Sequence, residues 1–373
     1  MKSFVVGWYG HGNIGDELLS VAAYKIFRDA FKQHPTLASV DPQITSKNVG
    51  ELLPDSPVKC VRWPASMSPK DLMSASFIRT FSSVVESGCV AIGGGGMFSD
   101  WKGSKVHRWL EFISLCKKLG KKTVLLGIGA GPFFDESVAR RVGIIINNDV
   151  DLIIARDDMS KKYLEEQAGV TKEIKVMPDL VFYLHDILKP APEKRDVIVA
   201  NFIPFPDLSH GYEQGIIDFL EDVTRESVVE LLPFHQSDWR FHKKLSKQVK
   251  SSNLRAFPLQ SIKGTIDILS SADAAVLTRF HSIILGAMLE TPVVPLVYHH
   301  KSAELLRRLR IDEYAIDVGD GSQWKDSIPS VSDYCEQLEH VKKNWDNSIA
   351  NLKSMSEKQS IESRKYVAEL RGI

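Results

Sequence analysis

Short apolar runs alternate along this chain with longer stretches in which apolar residues recur at every third or fourth position. That change of period predicts strand followed by helix, repeatedly. In the N-terminal half the pattern predicts strands at Phe4–Tyr9, Val58–Arg62, Cys89–Ile92, Thr123–Ile128, Leu152–Ala155 and Ile174–Val176. In the C-terminal half it predicts Val197–Phe202, Ser227–Leu232, Leu254–Phe257, Ala274–Leu277 and Val293–Tyr298. The first run leads into Leu18, Leu19, Ala22, Ala23, Ile26 and Phe27, one apolar face of a helix. Strands that are apolar throughout and separated by helices belong to parallel sheets covered on both faces. The expected fold class is α/β, with two Rossmann-like parallel-sheet domains facing a cleft.

The alternation stops once, in the charged, proline-containing stretch Leu188–Arg195, which is the natural linker. It divides the chain into an N-terminal domain, 1–189, and a C-terminal domain, 190–373. From Val331 onward Leu338, Val341, Trp345, Ile349 and Leu352 follow helical spacing, so an amphipathic helix ends the second domain.

Composition narrows the chemistry. Lys plus Arg and Asp plus Glu are 47 each, so no global basic field suits nucleic acid, and any cationic site is local. Cys60, Cys89, Cys116 and Cys335 lack a metal-ligand spacing, and no metal is expected. A start that runs straight into a strand, and no apolar run of about 18 residues, point to the cytoplasm, its membrane face included. Oligomeric state is not encoded in any recognisable pattern.

Four features carry the chemistry. The turn Gly10-His11-Gly12-Asn13-Ile14-Gly15 between a strand and a helix offers backbone N–H groups to a phosphate or carboxylate. It also fits the dinucleotide fingerprint, but no acidic residue stands at the end of the next strand to hold a ribose, since Asp29 lies within the helix and Asp41 beside Pro42. Asp16 and Glu17 in the first helical turn read equally as dipole-complementing residues or as groups facing a substrate. Arg279 and His281 share the turn after Ala274–Leu277, where a guanidinium fixes an anion and an imidazole moves a proton, the alternative being a histidine that caps its own helix. Lys301 follows the strand that ends at Tyr298, and Arg156 closes the strand Leu152–Ala155, with surface pairing to Asp157 or Asp158 as its alternative. Arg156 on one sheet and Arg279, His281 and Lys301 on the other would suit a small, doubly anionic substrate.

The ordered set formed by Gly10 to Glu17, Gly93 to Gly96, Gly127-Ile128-Gly129, Ala155-Arg156-Asp157, Pro178-Asp179, and Arg279-Phe280-His281-Ser282 with Gly286-Ala287 resembles the polysaccharide pyruvyl transferase family over most of the chain. The resemblance implies a GT-B-like architecture and phosphoenolpyruvate as donor substrate, with no separate cofactor. It also implies transfer of pyruvate, as a ketal, to a hydroxyl pair of a sugar in a cell-surface polysaccharide or its precursor, free or lipid-linked. By motif position Asn13, Arg156, Arg279, His281 and Lys301 would surround the donor, with Gly94 and Gly95 as further substrate-binding positions. From the donor's chemistry His281 would be the general acid, and Asp16 or Glu17 would take a proton from an acceptor hydroxyl, with Asp16 the catalytic candidate. His11 and the Thr291-Pro292 pair depart from the family pattern and bear on the acceptor. The segment Ser68 to Ser83 and Trp101 are candidate acceptor contacts. Two other readings stay open: a GT-B glycosyltransferase using a nucleotide sugar, and a non-catalytic sugar- or phosphate-binding module.

Overall fold

The computed structural model describes residues 1–64, 74–100, 106–204, 210–298, 300–318 and 329–373, except the side chains of 210, 300, 301 and 347. The chain divides into two compact units: residues 1–11, 16–184 and 359–373 form the first, residues 12–15 and 185–358 the second. Trp101, the stretch from Ser68 to Met73, His299 and the Lys301 side chain lie outside the described residues.

The first unit is built on β1 (Ser3–Val6), β2 (Thr36–Ser39), β3 (Lys59–Arg62), β4 (Cys89–Phe98), β5 (Lys122–Ala130), β6 (Leu152–Ala155) and β7 (Ile174–Val176). Their order is β3-β2-β1-β4-β5-β6-β7, and every pairing is parallel. β2 escapes the sequence pattern because its apolar content is only Leu37 and Ala38 between Thr36 and Ser39. The glycine cluster is not the loop that its composition suggests. Gly93, Gly95 and Gly96 stay in register with Leu126, Ile128 and Gly129, so β4 runs on to Phe98. Gly94 and Gly95 have φ of +82° and +100°, a backbone that only glycine adopts without strain inside a strand. The helix Ile14–Phe31 buries Leu18, Leu19, Ala22, Ala23, Ile26 and Phe27 completely, as its apolar spacing requires.

The second unit repeats the plan with β8 (Arg195–Asn201), β9 (Val228–Leu231), β10 (Leu254–Ala256), β11 (Ala272–Leu277), β12 (Val293–Val297) and β13 (Ile316–Asp317), ordered β10-β9-β8-β11-β12-β13 and parallel throughout. β13 has two residues and no readable alternation. The helix Val331–Ser363 buries Leu338, Val341, Trp345 and Leu352, and the Trp345 indole N–H donates to the Glu290 carbonyl at 3.1 Å. Residues 359–373 count with the first unit, where the Tyr366 hydroxyl donates to the Pro178 carbonyl. No helix among the described residues is long and apolar enough to cross a membrane.

Candidate active site

Ligands of open parallel sheets gather outside the carboxyl ends of the strands. In the first unit that rim carries the turn after β1, the end of β4, and the residues following β6 and β7. Glu17, 1% exposed, is occupied there as a structural anchor. Its carboxylate accepts the Gly10 N–H at 2.5 Å and the Asn48 side-chain N–H at 3.3 Å, tying the turn to the helix Pro42–Leu52. Burial pushes the Glu17 pKa up, against the lowering effect of those hydrogen bonds. Of the two acidic residues in this helical turn, Asp16 is the one turned toward the rim. It is half-buried, and a methyl group at Gly95 would lie 3.8 Å from its Oδ1.

Arg156 borders the same stretch of backbone. A methyl at Gly129 would come within 2.9 Å of its Nη2 and 3.2 Å of the Gly96 Cα, so the glycines leave the room that the guanidinium fills. The side chain is 6% exposed, not a surface group, and its Nε lies 3.3 Å from Asp157 Oδ2 and its Nη1 3.8 Å from Asp179 Oδ2. Burial alone would raise the Asp157 pKa. The adjacent guanidinium and the hydrogen bonds from Ser160 overcome that effect and hold it below the ordinary carboxylate value. The pairing with Asp157 that the sequence offered as an alternative is present, but it is buried instead of lying on the surface, and Asp179 joins it.

Gly12–Gly15 counts with the second unit. The Ile14 N–H donates to the Phe234 carbonyl at 2.8 Å, and Asn13 forms an antiparallel bridge with His235. Asn13 Oδ1 accepts the Gly15 N–H at 2.9 Å and so caps the helix that begins at Ile14. Gly15 lies directly against His281, since a methyl there would stand 2.3 Å from the His281 Nδ1. The ring of His281, in the first turn of the helix Phe280–Met288, stands edge-on to Phe280 with centroids 5.3 Å apart.

In the second unit the strand-end rim is organised by a residue the sequence did not single out. Asp238, fully buried, accepts from Arg279 Nε at 3.1 Å and Nη2 at 2.5 Å, from the backbone N–H groups of Phe234 and His235 at 3.2 and 3.1 Å, and from the Asn201 amide at 3.3 Å. Asn201, at the end of β8, also accepts the Arg279 N–H at 3.2 Å. The bidentate pair fixes the guanidinium beside His281 and offsets its charge. Polar residues just past the apolar runs of β8 and β9 were the available signal for Asn201, His235 and Asp238. Lys301, read as ending a strand, instead has its backbone in the first turn of the helix His300–Leu309, because β12 stops at Val297.

Burial lowers the His242 pKa to about 4, the dominant effect, which the charge of Asp238 and the Phe202 backbone only partly oppose. A histidine depressed in the folded state and ordinary in the unfolded chain takes up its proton on unfolding below pH 6.5. Stability contributed by neutral His242 is therefore present above that pH and lost as the pH falls toward 4, at roughly 1.4 kcal/mol per pH unit. Urea unfolding across this window is expected to show the slope, and His242→Gln to flatten it. An unchanged slope in the variant would assign acid sensitivity elsewhere.

The sequence profile described as polysaccharide pyruvyl transferase matches residues 13–300. Among solved structures, a glycosyltransferase from Rickettsia africae is similar at 10% identity and TM-score 0.62, covering 100% of this chain and 98% of that one. HepE of Anabaena, in complex with UDP and glucose, is similar at 10% identity and TM-score 0.58, covering 100% and 97%. UDP-GlcNAc 2-epimerase of Neisseria meningitidis, bound to UDP-GlcNAc, is similar at 11% identity and TM-score 0.60, covering 99% of each. At such identities the likeness is one of fold, two Rossmann-like domains of the GT-B class. No curated protein sequence matches the chain.

Proposed function

The chain belongs to the polysaccharide pyruvyl transferase family, and from that premise we propose that it moves the pyruvyl group of phosphoenolpyruvate onto two hydroxyls of a saccharide, forming a ketal and releasing phosphate. The observation that carries this reading is that His281 of the Arg279-Phe280-His281-Ser282 motif packs on Gly15 of the glycine turn, while Arg279 is held by Asp238.

The donor's chemistry assigns the roles. A proton from His281 goes to the methylene carbon of the enol ester, and the electron-poor carbon left next to it accepts the oxygen of the first hydroxyl. Departure of phosphate regenerates that electron-poor centre, and the second hydroxyl closes the ketal. Each hydroxyl gives up its proton, one to Asp16, which passes it to the departing phosphate, and the other to His281, which restores the proton given to carbon. In the second unit Arg279 and Lys301 bind an anionic group of the donor, with Asn13 in the glycine turn of that unit; in the first unit Arg156 and the backbone at Gly94 and Gly95 bind substrate. The carboxylates on Arg156 and Arg279 support this reading through orientation, because a guanidinium held by neighbouring carboxylates presents its remaining N–H groups in a fixed direction.

The test incubates the protein with phosphoenolpyruvate and a panel of galactosides, mannosamine derivatives and lipid-linked sugars. Inorganic phosphate and a sugar heavier by one pyruvate ketal are the expected products. Nucleoside diphosphate released from a nucleotide sugar, with no phosphate from phosphoenolpyruvate, would replace this reading with glycosyl transfer. Binding without any product would leave a sensing module.

A further inference from the structure

We propose that a shallow recess walled by Trp8, Trp63 and Trp109 in the first unit binds the pyranose ring of a saccharide. Trp8 stands two residues past β1, and Trp63 directly follows β3, its backbone N–H donating to the Ser39 carbonyl at 2.7 Å. Trp109 comes from the helix Val106–Lys118. Its ring lies parallel to Trp63, with an interplanar angle of 9° at 5.7 Å, and edge-on to Trp8, at 87° and 5.6 Å. His11 and Arg108 border the same recess.

Three properties favour a sugar. Trp8 and Trp63 are only half-buried, so indole surface is left facing the opening, and the C–H face of a pyranose is complementary to such a surface. Trp109 is 3% exposed, and its covered indole N–H has no acceptor among the described residues, an unsatisfied donor that a sugar hydroxyl would satisfy once a small shift of the ring uncovers it. The recess holds about 320 Å³ of open space, mouth included, of which about 20 Å³ is deep enough to centre a water molecule. That shape takes a ring lying on a face, whereas an acyl chain needs enclosure. The recess also belongs to the rim already described, because Trp8 and Trp63 stand just past the carboxyl ends of β1 and β3.

Naming the ring as the acceptor rests on the pyruvyl-transfer reading; saccharide binding at the recess does not. The chain has seven tryptophans, and its nitrogen-15 indole spectrum follows them individually, with Trp→Phe variants for assignment. Titration with methyl β-galactopyranoside and with methyl N-acetyl-β-mannosaminide at millimolar concentrations is expected to move the signals of Trp8, Trp63 and Trp109 and to leave those of Trp239 and Trp345 in place. Trp63→Leu and Trp8→Leu are expected to raise the sugar Kd by about 3- to 10-fold, with Trp63→Phe close to the parent. Failure of both sugars to move these three signals, or movement confined to other tryptophans, overturns the proposal. Phosphate release with an acceptor that leaves them unmoved overturns it too, while the transferase reading survives. Indole shifts without turnover on any donor would sink that reading and keep the saccharide site.

Discussion

Replacing His281 with alanine is expected to lower kcat by about a hundredfold or more while largely sparing phosphoenolpyruvate affinity. Proton delivery to carbon is the step for which no anion-binding residue substitutes, so its loss falls on turnover and leaves ground-state binding intact. The packing of Gly15 on the imidazole supplies a second, independent route to the same defect. A methyl group placed 2.3 Å from Nδ1 cannot coexist with the ring where it stands, and Gly15 lies in ordinary helical backbone, so Gly15→Ala acts on His281 with no strain of its own. The two substitutions are expected to be non-additive, the double variant being no slower than His281→Ala alone. Steady-state kinetics on the three proteins checks this. Parent-like turnover in His281→Ala would remove the residue from the reaction, and additive losses would mean that Gly15 acts elsewhere.

Asp238→Ala is expected to cost the second unit about 3 kcal/mol or more, the largest stability effect of any single substitution considered. The carboxylate is fully buried and collects donors from Arg279, Asn201, Phe234 and His235. Its removal leaves a guanidinium only 26% exposed without its counter-charge and orphans two backbone N–H groups. Urea unfolding followed by fluorescence, with Trp239 adjacent to the site, reads the loss. Asp238→Asn retains acceptor capacity but not charge, so it should fall between the parent and alanine. A variant as stable as the parent would show that the network is dispensable and that Arg279 is held by other means.

The two parallel sheets were legible in the sequence because strands buried on both faces need continuous apolar runs, and the helices between them need a 3.6-residue stripe. The short edge strands Thr36–Ser39 and Ile316–Asp317 were not, since two to four residues leave no period to read. Polar positions at strand ends were legible too, since the turn Gly10 to Gly15, Arg156, and Arg279 with His281 stand directly beside apolar runs, whereas Gly93 to Gly96, read as a loop, continue β4. Which residues pair with them was decided only by tertiary structure. Asp238 lies 41 positions from Arg279, and Gly15 is still farther from His281, distances over which no periodicity or propensity carries information. The same holds for the separate fates of Asp16 and Glu17, identical in local signal, of which one faces the rim and the other is buried under Gly10 and Asn48. Neighbouring residues on a helix point about 100° apart, and only the surface that each one meets determines whether its carboxylate anchors the fold or faces a substrate.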